Sequence, residues 1–83
     1  MENASDSQTF THRLTALEAL AGTLDSRADS LSLFAGDCDH WGLASDAVEA
    51  RLRARGHRVD AMMSRARAAA LRALLGDFGG IEV

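Results

Sequence analysis

The sequence predicts an all-α protein, an antiparallel helical hairpin that is completed to a four-helix bundle by dimerisation. Alanine and leucine dominate from Leu14 to Leu75 and proline is absent, which favours helix over strand. Two segments of helical periodicity flank a short stretch that contains two glycines. Because a domain of 83 residues buries only about 60–65% of its unfolded surface, we expect a partner chain to complete the core.

The first helix is predicted over residues 9–35, after a flexible polar arm at residues 1–8. Phe10, Leu17, Leu24 and Leu31 recur every seven residues and define one apolar face. The flanking positions of this face are Leu14, Leu20, Ala21, Ala28, Phe34 and Ala35.

The connection is predicted over residues 36–44, which are rich in glycine and aspartate and have no periodicity. Trp41 and Gly42 lie at its centre and form the turn motif. We expect the Trp41 ring to pack against the helix ends near Phe34 and Leu43, because a large flat side chain can fix the angle at which two helices meet.

The second helix is predicted over residues 45–75, with Asp46 and Glu49 spaced as in a capping box. We expect a stop at Gly76 and a flexible tail at residues 77–83. The apolar face predicted to meet the first helix is Val48, Leu52, Val59, Met62, Met63, Ala66, Ala69, Ala70 and Ala73. Folding about Asp39 then sets Gly22 opposite Gly56.

Two helices cannot cover both apolar faces completely, so the remaining apolar surface is predicted to bind protein, either a second copy or a related hairpin. The residues assigned to this partner interface are Phe10, Leu14, Leu17, Leu24, Leu31, Leu52, Val59, Met63, Leu71 and Leu74.

Side chains with reactive or metal-binding groups are few. Cys38 is the single cysteine, and consecutive residues such as Asp37, Cys38, Asp39 and His40 cannot all converge on one ion. A thin hairpin also leaves no room for an enclosed pocket. The sequence therefore predicts no metal, no cofactor and no catalytic activity.

Charge is distributed unevenly along the chain, whose net charge is −3. Arginines recur at heptad spacing along one edge of the second helix, with Arg55 beside them: Arg51, Arg58, Arg65 and Arg72. We expect Glu18, Asp25 and Asp29 of the first helix to pair with this edge. A small DNA-binding regulator that uses the arginine edge is an alternative, which the negative net charge makes less favourable.

Trp41 and Gly42, placed between two long helices, resemble the turn of the WXG family of small proteins exported by type VII secretion systems. This resemblance implies a helical hairpin paired into a four-helix dimer. It also implies an export signal beyond the second helix, matched here by Phe78 and Glu82. The expected location is the cytoplasm, followed by secretion without a cleaved signal peptide and without a membrane span. A cytoplasmic chaperone or adaptor of a secretion system is the alternative of similar architecture.

Overall fold

The computed structural model describes residues 2–80, with side chains described from Gln8 to Gly76. It contains two helices, α1 (Glu2–His40) and α2 (Ala44–Gly80), which pack along their length as a hairpin. The radius of gyration is 18.5 Å, against about 12 Å for a compact domain of this length. The predicted all-α hairpin is thus confirmed, as a rod with extents of 61 × 17 × 14 Å.

Both helices are longer than predicted. α1 begins at Glu2, inside the expected arm, and runs through Gly36 to His40, so the connection is residues 41–43 and not 36–44. Gly36 does not end the helix, because a glycine inside a helix costs only about 1 kcal/mol, which packing of the neighbouring turns offsets. α2 begins at Ala44 and continues past Gly76 to Gly80, and residues 81–83 of the predicted tail lie outside the described residues.

The face of α1 that packs on α2 follows the predicted period. Ala21, Ala28, Ala35 and Cys38 are buried, and Leu24 is the largest buried apolar side chain of the described residues. Phe10, Leu14, Leu17 and Leu31 are half-buried on the same face. Together these residues advance in alternating steps of three and four, which is the spacing of an antiparallel coiled-coil seam.

The face of α2 that packs on α1 is not the predicted one. It consists mainly of small residues, namely Ala47, Ala50, Ala54, Ala61, Ser64 and Ala68, with half-buried His57, Leu71 and Leu75 completing the row. The predicted face is exposed along its whole length, from Val48 to Ala73. Small side chains let the two helix axes approach closely, and the leucines of α1 then fill the space between them.

The register differs from the predicted one as well. Cys38 and Ala35 cluster with Ala47 and Ala50, and Leu24 clusters with Ala61, so the levels are set by a turn centred near Gly42 rather than Asp39. Gly22 and Gly56 are both exposed, and a Cβ built on either would meet nothing within 4 Å. The prediction that Gly22 and Gly56 lie opposite each other is therefore wrong.

Candidate interaction surfaces

The turn between the helices is closed by backbone hydrogen bonds. The Leu43 N–H donates to the Cys38 carbonyl at 2.7 Å, and the Gly42 N–H donates to the Asp39 carbonyl at 3.2 Å. This is the Schellman pattern, in which the residue after the helix adopts a left-handed conformation. Gly42 has φ of 77°, and among the described residues no non-glycine residue has a positive φ. Leu43 then accepts the first hydrogen bond of α2, from the Ala47 N–H at 3.0 Å, so the chain reverses within three residues.

Trp41 is exposed, with 71% of its surface accessible, so the predicted packing of its ring against the helix ends is wrong. The end of the seam is already filled by Cys38 and Ala47, which are buried in one cluster, and the indole lies outside that cluster. Trp41 follows Phe34 by seven residues, and Phe34 is also exposed, at 52%. Two exposed aromatic rings thus lie near the turn, Phe34 in the last turns of α1 and Trp41 in the connection.

The outer face of α2, opposite the seam, is apolar. Leu52, Val59 and Met63 are 59%, 48% and 50% exposed. With the small residues between and after them they form an uncharged row, which we call the outer stripe: Leu52, Gly56, Val59, Met63, Ala66, Ala70 and Ala73. Met62 and Val48 extend it on one side and are exposed at 67% and 57%. α2 therefore has apolar residues on two opposite faces, and the larger ones face outward.

The outer face of α1 is different. Its residues are small or polar, as in Ala19, Gly22, Ser26 and Thr15, and Leu33 is the one large apolar side chain there among the described residues. Leu33 is 74% exposed and has no apolar neighbour of similar size one or two turns away on that face. A single exposed leucine is ordinary for a protein surface, whereas a continuous stripe is typical of an interface.

Of the residues predicted to bind a partner, six belong to the hairpin's own seam: Phe10, Leu14, Leu17, Leu24, Leu31 and Leu71. Leu52, Val59, Met63 and Leu74 are exposed and remain available to a partner. Of the predicted export signal, Phe78 falls in the last turns of α2, and Glu82 lies outside the described residues.

The arginines at heptad spacing form one edge of the hairpin, which we call the paired edge. Arg65 meets Asp25 at 2.5 Å and Arg58 meets Asp29 at 3.1 Å. Two further pairs join Arg72 to Glu18 and Arg51 to Asp39. The predicted pairing with acidic residues of α1 is confirmed. Since all four pairs are substantially exposed, each contributes little stability, about 0–1 kcal/mol, but together they favour one register.

The opposite edge, which we call the open edge, has like charges facing each other. A shallow groove of about 480 Å³ is lined there by Arg27 of α1 and by Arg53 and His57 of α2. Leu31 and three hydroxyl residues, Thr23, Ser26 and Ser30, complete the lining, and no aspartate or glutamate lines it. Arg27 has no ion-pair partner among the described residues, and Arg53 pairs with Glu49 of its own helix at 2.9 Å.

Cys38 lies within α1 and is 1% exposed, so it is not the turn thiol that the sequence suggested. Burial raises the pKa of its thiol, and the carboxylates of Asp46, Asp37 and Asp39 raise it further, against a smaller opposing effect of Arg51. The protonated thiol is a weak nucleophile. Within the described residues, no three or more His, Cys, Asp or Glu side chains are placed to hold a metal ion.

In the described part of the chain, neither helix combines the length and the apolar character needed to cross a membrane. Comparisons with protein-family models, with curated proteins and with solved structures found no match to this chain. The surfaces of the hairpin itself are therefore the basis for a functional proposal.

Proposed function

We propose that this protein is a non-catalytic helical interaction module whose partner, a second copy or a related hairpin, covers the outer stripe of α2. The observation that supports this proposal is the exposure of Leu52, Val59 and Met63. All three lie in the outer stripe, whose residues from Leu52 to Ala73 are uncharged. Burying this face would stabilise the complex by about 25 cal/mol for each Å² of apolar surface that is removed from water. The expected product is a four-helix dimer in which the two α2 helices pack on each other and lie between the two α1 helices.

The residue sizes along the outer stripe favour a helix as the partner. Gly56 lies between Leu52 and Val59, and the stripe ends in Ala66, Ala70 and Ala73. Large residues near one end and small residues near the other suit an antiparallel neighbour, because the large side chains of each helix then lie over the small ones of the other. This complementarity holds between two copies of α2.

Analytical ultracentrifugation at micromolar concentration tests the proposal. We expect the natural chain to sediment as a dimer, and the variant Met63→Glu to sediment as a monomer because it places a charge in the interface. Leu33→Glu is the matched control, since it makes the same kind of change on the outer face of α1 and leaves the dimer intact. A natural chain that is monomeric, melts cooperatively and responds to neither substitution would contradict the proposal.

The cellular role that we propose is that of a small secretion-associated protein. Its support is the resemblance of the turn, in which Trp41 and Gly42 join two long helices, to that of WXG proteins. Expression in a host with a type VII secretion system tests this role, with export expected for the natural chain and lost in a Phe78→Ala, Glu82→Ala double variant. Retention of the natural chain inside such a host, bound to another secretion protein, would instead favour the chaperone or adaptor.

A further inference from the structure

The open edge of the hairpin has an electrostatic imbalance that the paired edge lacks. On the paired edge each heptad arginine of α2 meets a carboxylate of α1. On the open edge Arg27 and Arg53 line one groove, and both are cations. Arg27 therefore lacks the carboxylate that each heptad arginine has on the paired edge, and it lies near a second cation, Arg53, whose partner is Glu49 of its own helix.

The groups around these arginines are hydrogen-bond donors. The hydroxyls of Ser26 and Ser30 form no hydrogen bond with another described residue, and the His57 ring lies half-buried at the seam side of the groove. Guanidinium groups bind carboxylates with two parallel hydrogen bonds, and hydroxyls add further donors. With no acidic side chain in the lining, this set of groups is complementary to an oxyanion.

The shape of the groove favours an elongated ligand, such as a segment of a protein chain, over a small ion. Ser26 and Ser30 are one helical turn apart on α1, so the donors follow the helix axis, and the groove is shallow and open to solvent. Leu31 and the aliphatic parts of Arg27 and Arg53 supply apolar contact. Phe34 lies seven residues after Arg27 on the same edge of α1, and the exposed Trp41 follows in the connection. Arginine and tryptophan are enriched among the residues that contribute most of the binding energy in protein interfaces.

We propose that the open edge is a docking site for an acidic protein segment, in which two carboxylates one helical turn apart bind Arg27 and Arg53 while apolar side chains contact Phe34 and Trp41. The existing pair of Arg53 with Glu49 is exposed and lies within one helix, so a ligand carboxylate can replace it. This site is separate from the outer stripe of α2 and does not depend on the proposed dimer. A nucleic acid is less suited to it, because only two arginines line the groove, whereas binding to a phosphate backbone depends on contacts from many cations.

The test uses the full chain and a dye-labelled, alanine-based helical peptide of roughly 20 residues with glutamates at i and i+4. A second peptide carries glutamine at the same positions, and a thymidine oligonucleotide of equal charge is the third probe. Fluorescence anisotropy at about 50 mM salt, where screening is weak, measures binding. We expect the glutamate peptide to bind, the glutamine peptide not to bind, and amide and side-chain signals of Arg27, Arg53 and His57 to shift in the NMR spectrum.

Three single variants locate the site. Arg27→Gln and Arg53→Gln should each weaken binding by about three- to ten-fold, which is the loss expected for one charge-assisted contact. Glu49→Gln should strengthen it by about two- to five-fold, because it frees Arg53. Arg55→Gln is the matched control: it removes the same charge from the same helix, two residues away and outside the groove lining, and should change binding less than two-fold.

Several results would overturn the proposal. Equal losses for Arg27→Gln, Arg53→Gln and Arg55→Gln would mean that only net charge matters. Tighter binding of the oligonucleotide than of the glutamate peptide would assign the edge to nucleic acid. Absence of any binding by the glutamate peptide, with all variants retaining the helical circular dichroism of the natural chain, would show that the groove is not a docking site.

Discussion

The seam and the outer surface of this hairpin are both apolar along α2, but they differ in the size of their side chains. In the seam, α2 contributes Ala47, Ala54, Ala61 and other small residues that are nearly fully buried. On the outer surface, the same helix carries Val59 and other large residues that are about half exposed. The comparison shows that side-chain size decides which apolar face of α2 packs in the seam. Small residues let the two helices pack closely, and the larger apolar residues stay exposed and available to another contact.

The largest effect that we predict contrasts two leucines of α1. Leu24→Ala should lower the free energy of unfolding by about 2–5 kcal/mol, because Leu24 is the largest buried side chain of the described seam and alanine leaves a cavity. Leu33→Ala, on the outer surface, should change it by less than about 0.5 kcal/mol. Urea unfolding followed by circular dichroism measures both. Similar losses at the two positions would mean that the seam is misassigned.

The second contrast enlarges an alanine on each face of α2. Ala61→Leu should destabilise the hairpin by about 1–3 kcal/mol, because Ala61 is fully buried in one cluster with Ala21 and Leu24. Ala69→Leu, which is exposed, should leave the unfolding free energy of the hairpin within about 0.5 kcal/mol of its natural value. Thermal unfolding of both variants at equal concentration is the measurement. A stabilising Ala61→Leu would show that the seam is loosely packed.

The third contrast concerns two glycines near the turn. Gly42→Ala should cost about 1–2 kcal/mol, since φ of 77° is strained for any residue with a Cβ. Gly36→Ala should instead stabilise by about 0.5–1 kcal/mol, because Gly36 is helical and a Cβ there meets nothing within 4 Å. Chemical denaturation resolves the opposite signs, and destabilisation by both substitutions would mean that α1 is interrupted at Gly36.

The smallest effect on stability that we predict concerns Cys38. Because burial raises the pKa of this thiol, the unfolded chain loses the proton at a lower pH than the folded chain does. Stability is therefore unaffected at neutral pH and decreases as the pH rises above about 8.5, the ordinary value for a thiol.

Thiol chemistry checks this prediction directly. A thiol reagent at pH 8 should modify native Cys38 much more slowly than it modifies an outer-surface cysteine introduced as Ala19→Cys in a Cys38→Ala background. In denaturant the two rates should become similar. Fast reaction of Cys38 in the native protein would contradict its burial, and alkaline denaturation that is unchanged in the Cys38→Ala variant would contradict the raised pKa.

Many residues of the candidate interaction surface could be identified from the sequence. Whether each apolar face of α2 points into the seam or toward solvent could not. The apolar positions of α1 were identified because leucines repeat every seven residues with no competing apolar face. In α2 the face with the large apolar residues was predicted to pack in the seam. The alanines of the opposite face follow an equally regular period, and they form the seam in the structure. A signal for the turn was present in Gly42, since glycine after a helix commonly adopts the left-handed conformation.

The open edge was missed, because recognising it requires the register. Arg27 and Arg53 are far apart in the chain, and nothing local shows that they line one groove. Most of the paired edge was predictable, because four arginines at heptad spacing and the acids Glu18, Asp25 and Asp29 are visible before any pairing is known. The fourth acid, Asp39, lay in the predicted connection.

The sequence by itself determined the hairpin, the apolar face of α1 and the ion pairs of one edge, because each depends on helical periodicity or on charge sign along a single segment. Only the tertiary structure decided which face of α2 enters the seam, that Trp41 is exposed and which charges meet on the open edge. These depend on the distance between the helices and on their register. Both follow from a turn of three residues closed at Gly42 and from the small volume of the alanines that it brings against α1.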